Sequence, residues 1–227
     1  MTCLLQHPQA EEVAVERVPV LRGVSTFNLC TAGLPQGYYR TPNMGHAREQ
    51  LIAELRRHAL VIGEVTLTSG RKAQYYVDAK RAILRPDGFR ALGELVAAEA
   101  ERVRATAVGG MTMGADPVAC AALGAGAPVK AFFVRKERKR HGLQRWIEGP
   151  ELEAGERCLI VEDVVTTGGS TLKAIERVRD EGLEIAGVVS VLDRLAGGAE
   201  AIRAAANGAP YAPLTTIDDV YPERPEA

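Results

Sequence analysis

Leu159–Thr171 read LIVEDVVTTGGST, and this stretch decides the fold. Leu159, Ile160 and Val161 make a short apolar run of the kind that forms a buried strand. Glu162 and Asp163 follow at its end. Then come Val164, Val165 and the polar run Thr166, Thr167, Gly168, Gly169, Ser170 and Thr171. Beyond it, Leu172, Ile175 and Val178 recur at helical spacing. The order is strand, acidic pair, polar glycine loop, helix.

That order continues along the chain. TAVGG (106–110), PVKAFFV (128–134), RCLIVED (157–163) and EIAGVVSVLDR (184–194) read as strands. VACAALGAG (118–126), STLKAIERVRDEG (170–182) and GAEAIRAAANG (198–208) read as the helices between and after them. Strands alternating with helices predict an α/β fold, a central parallel sheet flanked by helices. Upstream, Leu51, Ile52, Leu55 and Ala59 place a helix over 46–59. VIGEVTLTSGRKAQYYVDAK (61–80) reads as two short strands around a Ser-Gly turn. An amphipathic helix follows over 87–104, with Asp87 as its expected N-cap. Residues 1–43 carry scattered Pro and Gly without a sustained period. They read as a poorly ordered extension, or as upstream sequence from a generous choice of start codon. Residues 44–227 read as one domain.

Composition removes several classes of function. The chain has 227 residues, 46% of them hydrophobic, which is ample for a real core. The net charge of -1 gives no global field for nucleic acid or membrane. No apolar run approaches the roughly 20 residues of a membrane span, and the N-terminus does not read as a signal peptide. Cys3, Cys30, Cys120 and Cys158 are far apart and lack CxxC spacing, which argues against a disulfide framework or zinc site and for a reducing cytoplasm.

The chemistry of LIVEDVVTTGGST follows from its place. In an open parallel sheet, ligands bind at the carboxyl ends of the strands. A helix N-terminus there offers unpaired N–H groups and the positive end of its dipole to a phosphate. Glycines let the backbone approach, and hydroxyls add donors. No GxxxxGK[ST] or GxGxxG is present, so the commonest nucleotide motifs are absent. Acids beside a phosphate would repel it, so they must serve hydroxyls, a metal or a developing cation. A ribose 5-phosphate satisfies all of this. The bland alternative is an ordinary Ser-capped helix with surface acids.

At these residues the sequence resembles the phosphoribosyltransferase family, whose signature is an apolar strand, two acids and a Thr/Gly-rich loop. The resemblance implies the type I phosphoribosyltransferase fold, with a small hood subdomain. It implies that Thr166, Thr167, Gly168, Gly169 and Ser170, with Val164 and Val165 alongside, hold the 5-phosphate of phosphoribosyl pyrophosphate (PRPP). Glu162 and Asp163 would contact the ribose. The signature identifies the donor, not the base.

Two more segments narrow the acceptor. With VEDVVTTGG, the stretches TLTSGRKAQYYVDAK (66–80) and VRKERKRHGLQRWIEG (134–149) look like the orotate-using branch of that family, over about residues 46–218. The branch joins orotate to PRPP in pyrimidine synthesis, releasing pyrophosphate. The resemblance implies a hood over about 60–85, in which Tyr75 and Tyr76, with Thr166 and Arg194, meet orotate. A cation at Arg194 suits a carboxylate substrate. It also implies a lid over about 134–149 that reaches a partner's site in a homodimer and brings Arg135, Lys136, Lys139 and His141 to the diphosphate.

The lid reading also stands on charge. Arg135, Lys136, Arg138, Lys139, Arg140 and His141 are broken only by Glu137. A departing diphosphate must be neutralised, and a closing cationic lid also excludes water. Lys139 is the preferred leaving-group cation, with Arg138 and Arg140 as rivals; His141 is a candidate proton carrier. Lysines common in the family are replaced here by Thr68 and by the loop Met111-Thr112-Met113, so Arg71 or Lys72 and backbone amides would substitute. Mg2+ is expected on PRPP, with Asp163 and Asp116 acting through water and no direct protein ligand. A purine or xanthine phosphoribosyltransferase would share the donor site, with Tyr75–Lys80 and Arg194 deciding between them. A regulator that senses PRPP without catalysis is the rival from another class, and the cationic lid stands against it.

Overall fold

A computed structural model of the chain describes residues 43–66, 72–137 and 146–225. The expected extension over 1–43 therefore lies outside the described residues, apart from Asn43. That residue caps the first helix, its side-chain oxygen accepting from His46 N at 3.3 Å.

The described elements, in chain order, begin with α1 (Met44–His58), β1 (Leu60–Thr66), β2 (Lys72–Val77), α2 (Lys80–Ile83) and α3 (Pro86–Arg102). Next come β3 (Ala107–Met111), α4 (Asp116–Gly124), β4 (Lys130–Val134), β5 (Ile147–Glu148) and β6 (Arg157–Val165). The chain continues through α5 (Gly169–Asp180), β7 (Glu184–Asp193), α6 (Gly198–Ala206), β8 (Tyr211–Thr216) and α7 (Ile217–Val220). The main sheet has six strands in the order β5-β4-β3-β6-β7-β8, all pairs parallel except β4–β5. β1 and β2 form a separate antiparallel pair.

Side chains alternate across the strands, so each face acquires its own core. Leu159 and Val161 of β6, with Val108, Val189 and Val191, pack against α1, α3 and α4. Cys158 and Ile160, with Ala107 and Val188, pack against α5 and α6. Leu51 and Leu55 of α1 are fully buried, each burial contributing about 1.5–3 kcal/mol. Burial also pushes the Cys158 thiol up to about 12, which makes it an inert core residue.

Several expectations change. Asp87 is not the cap of α3. Arg85 is, and Pro86 takes the first turn, where its missing N–H costs nothing. The short elements α2, β5, β8 and α7 were not expected. β8 is an edge strand, pairing β7 on one side, and its Pro213 falls where no further ladder is needed. β5 is two residues long and closes the charged segment back onto β4.

Candidate active site

β6 continues to Val165, so the strand carries both acids to the carboxyl edge of the sheet. Thr166 and Thr167 then turn the chain. Gly168 caps α5 at φ 81, a left-handed conformation that only glycine adopts without strain. No side chain caps α5, so its first amides are left for a ligand. The loop is fixed from behind, where Gly198 N donates to Thr166 O at 3.1 Å and Arg194 N to Val165 O at 2.9 Å. Of the expected phosphate residues, Val165 is buried among core residues, so only its backbone is available.

Adjacent strand residues diverge, and the two acids reach different helices. Glu162 is buried and accepts from Ser170 Oγ at 2.6 Å and Thr171 Oγ1 at 3.4 Å, both on α5. Desolvation, reinforced by the charge of Asp163 against the opposing Ser170 bond, pushes Glu162 up to about 7. Asp163 instead pairs with Lys80 Nζ of α2 at 3.0 Å, and the same ammonium lies 2.8 Å from Asp78. Partial burial pulls Lys80 down, but hydrogen bonding to Asp78 and the charge of Asp163 raise it net above the usual lysine value. Lys80 thus neutralises the outer acid from the end of the expected hood. Gly114 closes over the pair: a Cβ there would sit 2.4 Å from Asp163 Oδ1.

A second cluster is built around Arg194, the residue expected to meet orotate. Its guanidinium lies 5.0 Å from the Tyr75 ring centre, and Tyr75 meets Tyr221 edge-on at 5.5 Å. Arg194 Nε is buried without a hydrogen-bond partner. Asp193 before it is buried and holds Leu195 N at 2.8 Å and the Tyr211 hydroxyl at 2.9 Å, while Ser190 Oγ lies 2.8 Å from that hydroxyl. Tyr75 faces inward and Tyr76 is exposed, as strand alternation requires. Lys72 pairs with Glu64 across the hairpin at 2.7 Å; Thr68 and Arg71 lie outside the described residues.

At the end of β3, Thr112 Oγ1 donates to Asp116 Oδ2 at 2.6 Å, and Asp116 Oδ1 is buried without a partner. The charged segment leaves β4 at Arg135 and returns at Trp146, where Arg135 N donates to Trp146 O at 2.9 Å. Arg135, expected on the diphosphate, pairs with Glu148 at 2.9 Å. Lys136 is exposed. Lys139 and His141, with Arg138 and Arg140, lie outside the described residues. Sequence reasoning passed over Tyr211, Tyr221 and Arg177, whose side chains act across long separations that no local spacing announces. Lys80 closed a quoted motif, but nothing in the motif tied it to Asp163.

A parallel sheet with acids and an uncapped helix N-terminus at its carboxyl edge is the arrangement of the type I phosphoribosyltransferases. The phosphoribosyl transferase domain family matches residues 106–207. An orotate phosphoribosyltransferase of Corynebacterium glutamicum is 47% identical over 175 residues, covering 77% of this chain and 94% of that one. Among solved structures, Mycobacterium tuberculosis orotate phosphoribosyltransferase with Fe(III) dicitrate superposes with a TM-score of 0.70 at 45% identity, covering 77% of this chain and 99% of that one. The same enzyme in complex with PRPP superposes with a TM-score of 0.66 at 41% identity, covering 77% and 98%. The chain belongs to the orotate phosphoribosyltransferase family.

Proposed function

We propose that this protein transfers the phosphoribosyl group of PRPP to orotate, giving orotidine 5′-monophosphate and diphosphate, in pyrimidine nucleotide synthesis. The observation that carries the acceptor is Arg194, stacked on Tyr75 with its Nε buried and unpartnered beside the donor loop. A half-buried cation with an unpaired donor suits an anionic base and leaves a neutral purine without a match.

The chain's residues divide the work. Thr166–Ser170 and the first amides of α5 take the 5-phosphate. Glu162 and Asp163 take the ribose hydroxyls, with Ser170 turning from Glu162 toward the phosphate. Tyr75, Tyr76, Thr166 and Arg194 frame the orotate ring. Lys136, Lys139 and His141, with Arg135 at the base, gather on the diphosphate as the sugar gains positive charge. The attacking nitrogen can be anionic beforehand, so no protein base is required.

Magnesium fits this site as a passenger on the diphosphate. Among the described residues no three acids, histidines or cysteines converge on a metal position. Asp163 and Asp116, whose Oδ1 is buried without a partner, would meet it through water. Bound there, it would offset diphosphate charge. We further assign a hood over about 60–85, a lid over about 134–149 shared across a homodimer, and a cytoplasmic setting that suits the free thiols of Cys120 and Cys158. No described helix is long and apolar enough to cross a membrane.

The test is loss of orotate absorbance on adding PRPP and Mg2+, with uracil, hypoxanthine, xanthine and adenine alongside. Consumption of orotate alone is expected. Consumption of a purine would overturn the acceptor, and silence with measurable PRPP binding would favour the regulator.

A further inference from the structure

The charged segment between β4 and β5 is tied at both ends to one side chain on α5. Arg177 Nη1 donates to Arg135 O, and Arg177 Nη2 to Lys136 O at 3.0 Å. Its guanidinium also lies 4.1 Å from the centre of the Trp146 ring, at the returning end of the segment. Nη1 approaches Met111 Sδ at 3.4 Å, at the end of β3. Four residues on, Glu181, the C-cap of α5, accepts from Trp146 N at 3.1 Å. A planar fork with a stackable face can serve two carbonyls and an indole at once; an ammonium cannot.

We propose that Arg177 is a positioning residue for transfer, setting where Arg135 and Lys136 stand relative to the donor loop. The inference rests on the transferase reading above. α5 begins at the phosphate loop and reaches Arg177 two turns later, so the helix that receives the phosphate also holds the root of the cationic segment. The groups Arg177 meets are Arg135 O, Lys136 O, Met111 Sδ and the Trp146 ring. It acts through the backbone of Arg135 and Lys136, and a small displacement of charge from a departing group costs rate.

Trp146 is the protein's one tryptophan, so its fluorescence reports this clamp directly. The experiment compares wild type, Arg177→Gln, Arg177→Lys and Trp146→Ala, and the Arg177→Gln/Trp146→Ala double variant. Thermal melting and kcat and KM for each substrate are measured for all, and acrylamide quenching for the wild type and the two single Arg177 variants, which retain Trp146. We expect both Arg177 variants to melt near wild type, to expose Trp146 to quencher and to lose about 10- to 100-fold in kcat, with KM for orotate little changed. Arg177→Lys should not rescue. The double variant should lose less than the product of the single losses, because the two residues form one contact.

Unchanged kcat, unchanged quenching in an active-site-impaired variant, full rescue by lysine, or multiplicative losses would each overturn the proposal. If the Arg177 variants fail to fold, kcat of Trp146→Ala decides: wild-type turnover there overturns the clamp. A wild type that consumes no orotate overturns the function itself, and its Trp146 quenching in the Arg177 variants still distinguishes the two failures.

Discussion

Ser170 gives its hydroxyl hydrogen to Glu162 across 2.6 Å, joining the carboxyl-end half of the strand β6 to the first turn of the helix α5. The bond holds a phosphate-loop hydroxyl on an acid raised to about 7 by burial. Only the ionised acid is a pure acceptor for ribose hydroxyls. We expect kcat/KM for PRPP to rise through pH about 7, as free-enzyme Glu162 ionises. Stability should run the other way. Between the ordinary value of 4.5 and about 7, the folded protein holds a proton that the unfolded chain has lost. The stability it retains below 4.5 therefore declines as pH rises through that window. Glu162→Gln keeps a partner for Ser170 and removes the titration. Melting and pH–rate profiles of the two proteins should diverge in that window; superimposable curves would refute the assignment.

Asp163 is held by Lys80 and by Val164 N at 2.8 Å, yet it stands at the strand end rather than in the core. Asp163→Asn preserves shape, and Asp78 remains to keep Lys80 in place. The melting temperature should shift by only a few degrees, whereas kcat/KM for PRPP should fall about 100-fold or more. An unfolded Asp163→Asn protein would make the residue structural.

The Tyr211 hydroxyl lies between Ser190 and the buried Asp193, directly before Arg194. Tyr211→Phe keeps the ring and leaves Asp193 Oδ2 without that donor. The loss should cost about 1–3 kcal/mol of stability. It should also raise KM for orotate more than KM for PRPP, since Arg194 is the residue displaced. Steady-state kinetics with each substrate varied in turn would settle it, and an equal rise in both constants argues against positioning.

The strand-acids-loop-helix order was legible because each part has a local cause: an apolar run, a glycine tolerant of φ 81 at Gly168, and a helical repeat from Leu172. The pairing of β1 and β2 was legible for the same reason. The division of Glu162 and Asp163 between α5 and α2 was half-written in strand alternation, but their partners were not. Lys80 lies 83 residues from Asp163, and Arg48, which ties α1 to Asp219 of α7 at 2.7 Å, lies 171 residues from its partner. Only the tertiary fold brings such pairs together. The capping box of Thr216 and Asp219 shows the converse: a local signal was present, but α7 is too short to announce itself by periodicity.

Gly114 offers the sharpest steric test of the proposed donor site. A Cβ there would lie 2.4 Å from Asp163 Oδ1, far inside contact distance, and a tight 3.0 Å from Glu162 Oε1. Asp163 cannot yield without loosening Lys80, and Glu162 cannot yield without leaving Ser170. Gly114→Ala should therefore fold, because the clash falls on side-chain ends, but lose PRPP affinity by about tenfold or more, a cost of about 1.4 kcal/mol or greater. Gly45→Ala, in α1 and outside the proposed donor site, is the control, since a Cβ there meets only Asn43 Oδ1, at an ordinary 3.5 Å. It should match or slightly exceed wild-type stability, because alanine restricts the unfolded chain. PRPP titration by calorimetry separates them: weakened binding confined to Gly114→Ala locates the ribose acids, whereas wild-type affinity in that variant would show that Glu162 and Asp163 do not need their present positions to bind the donor.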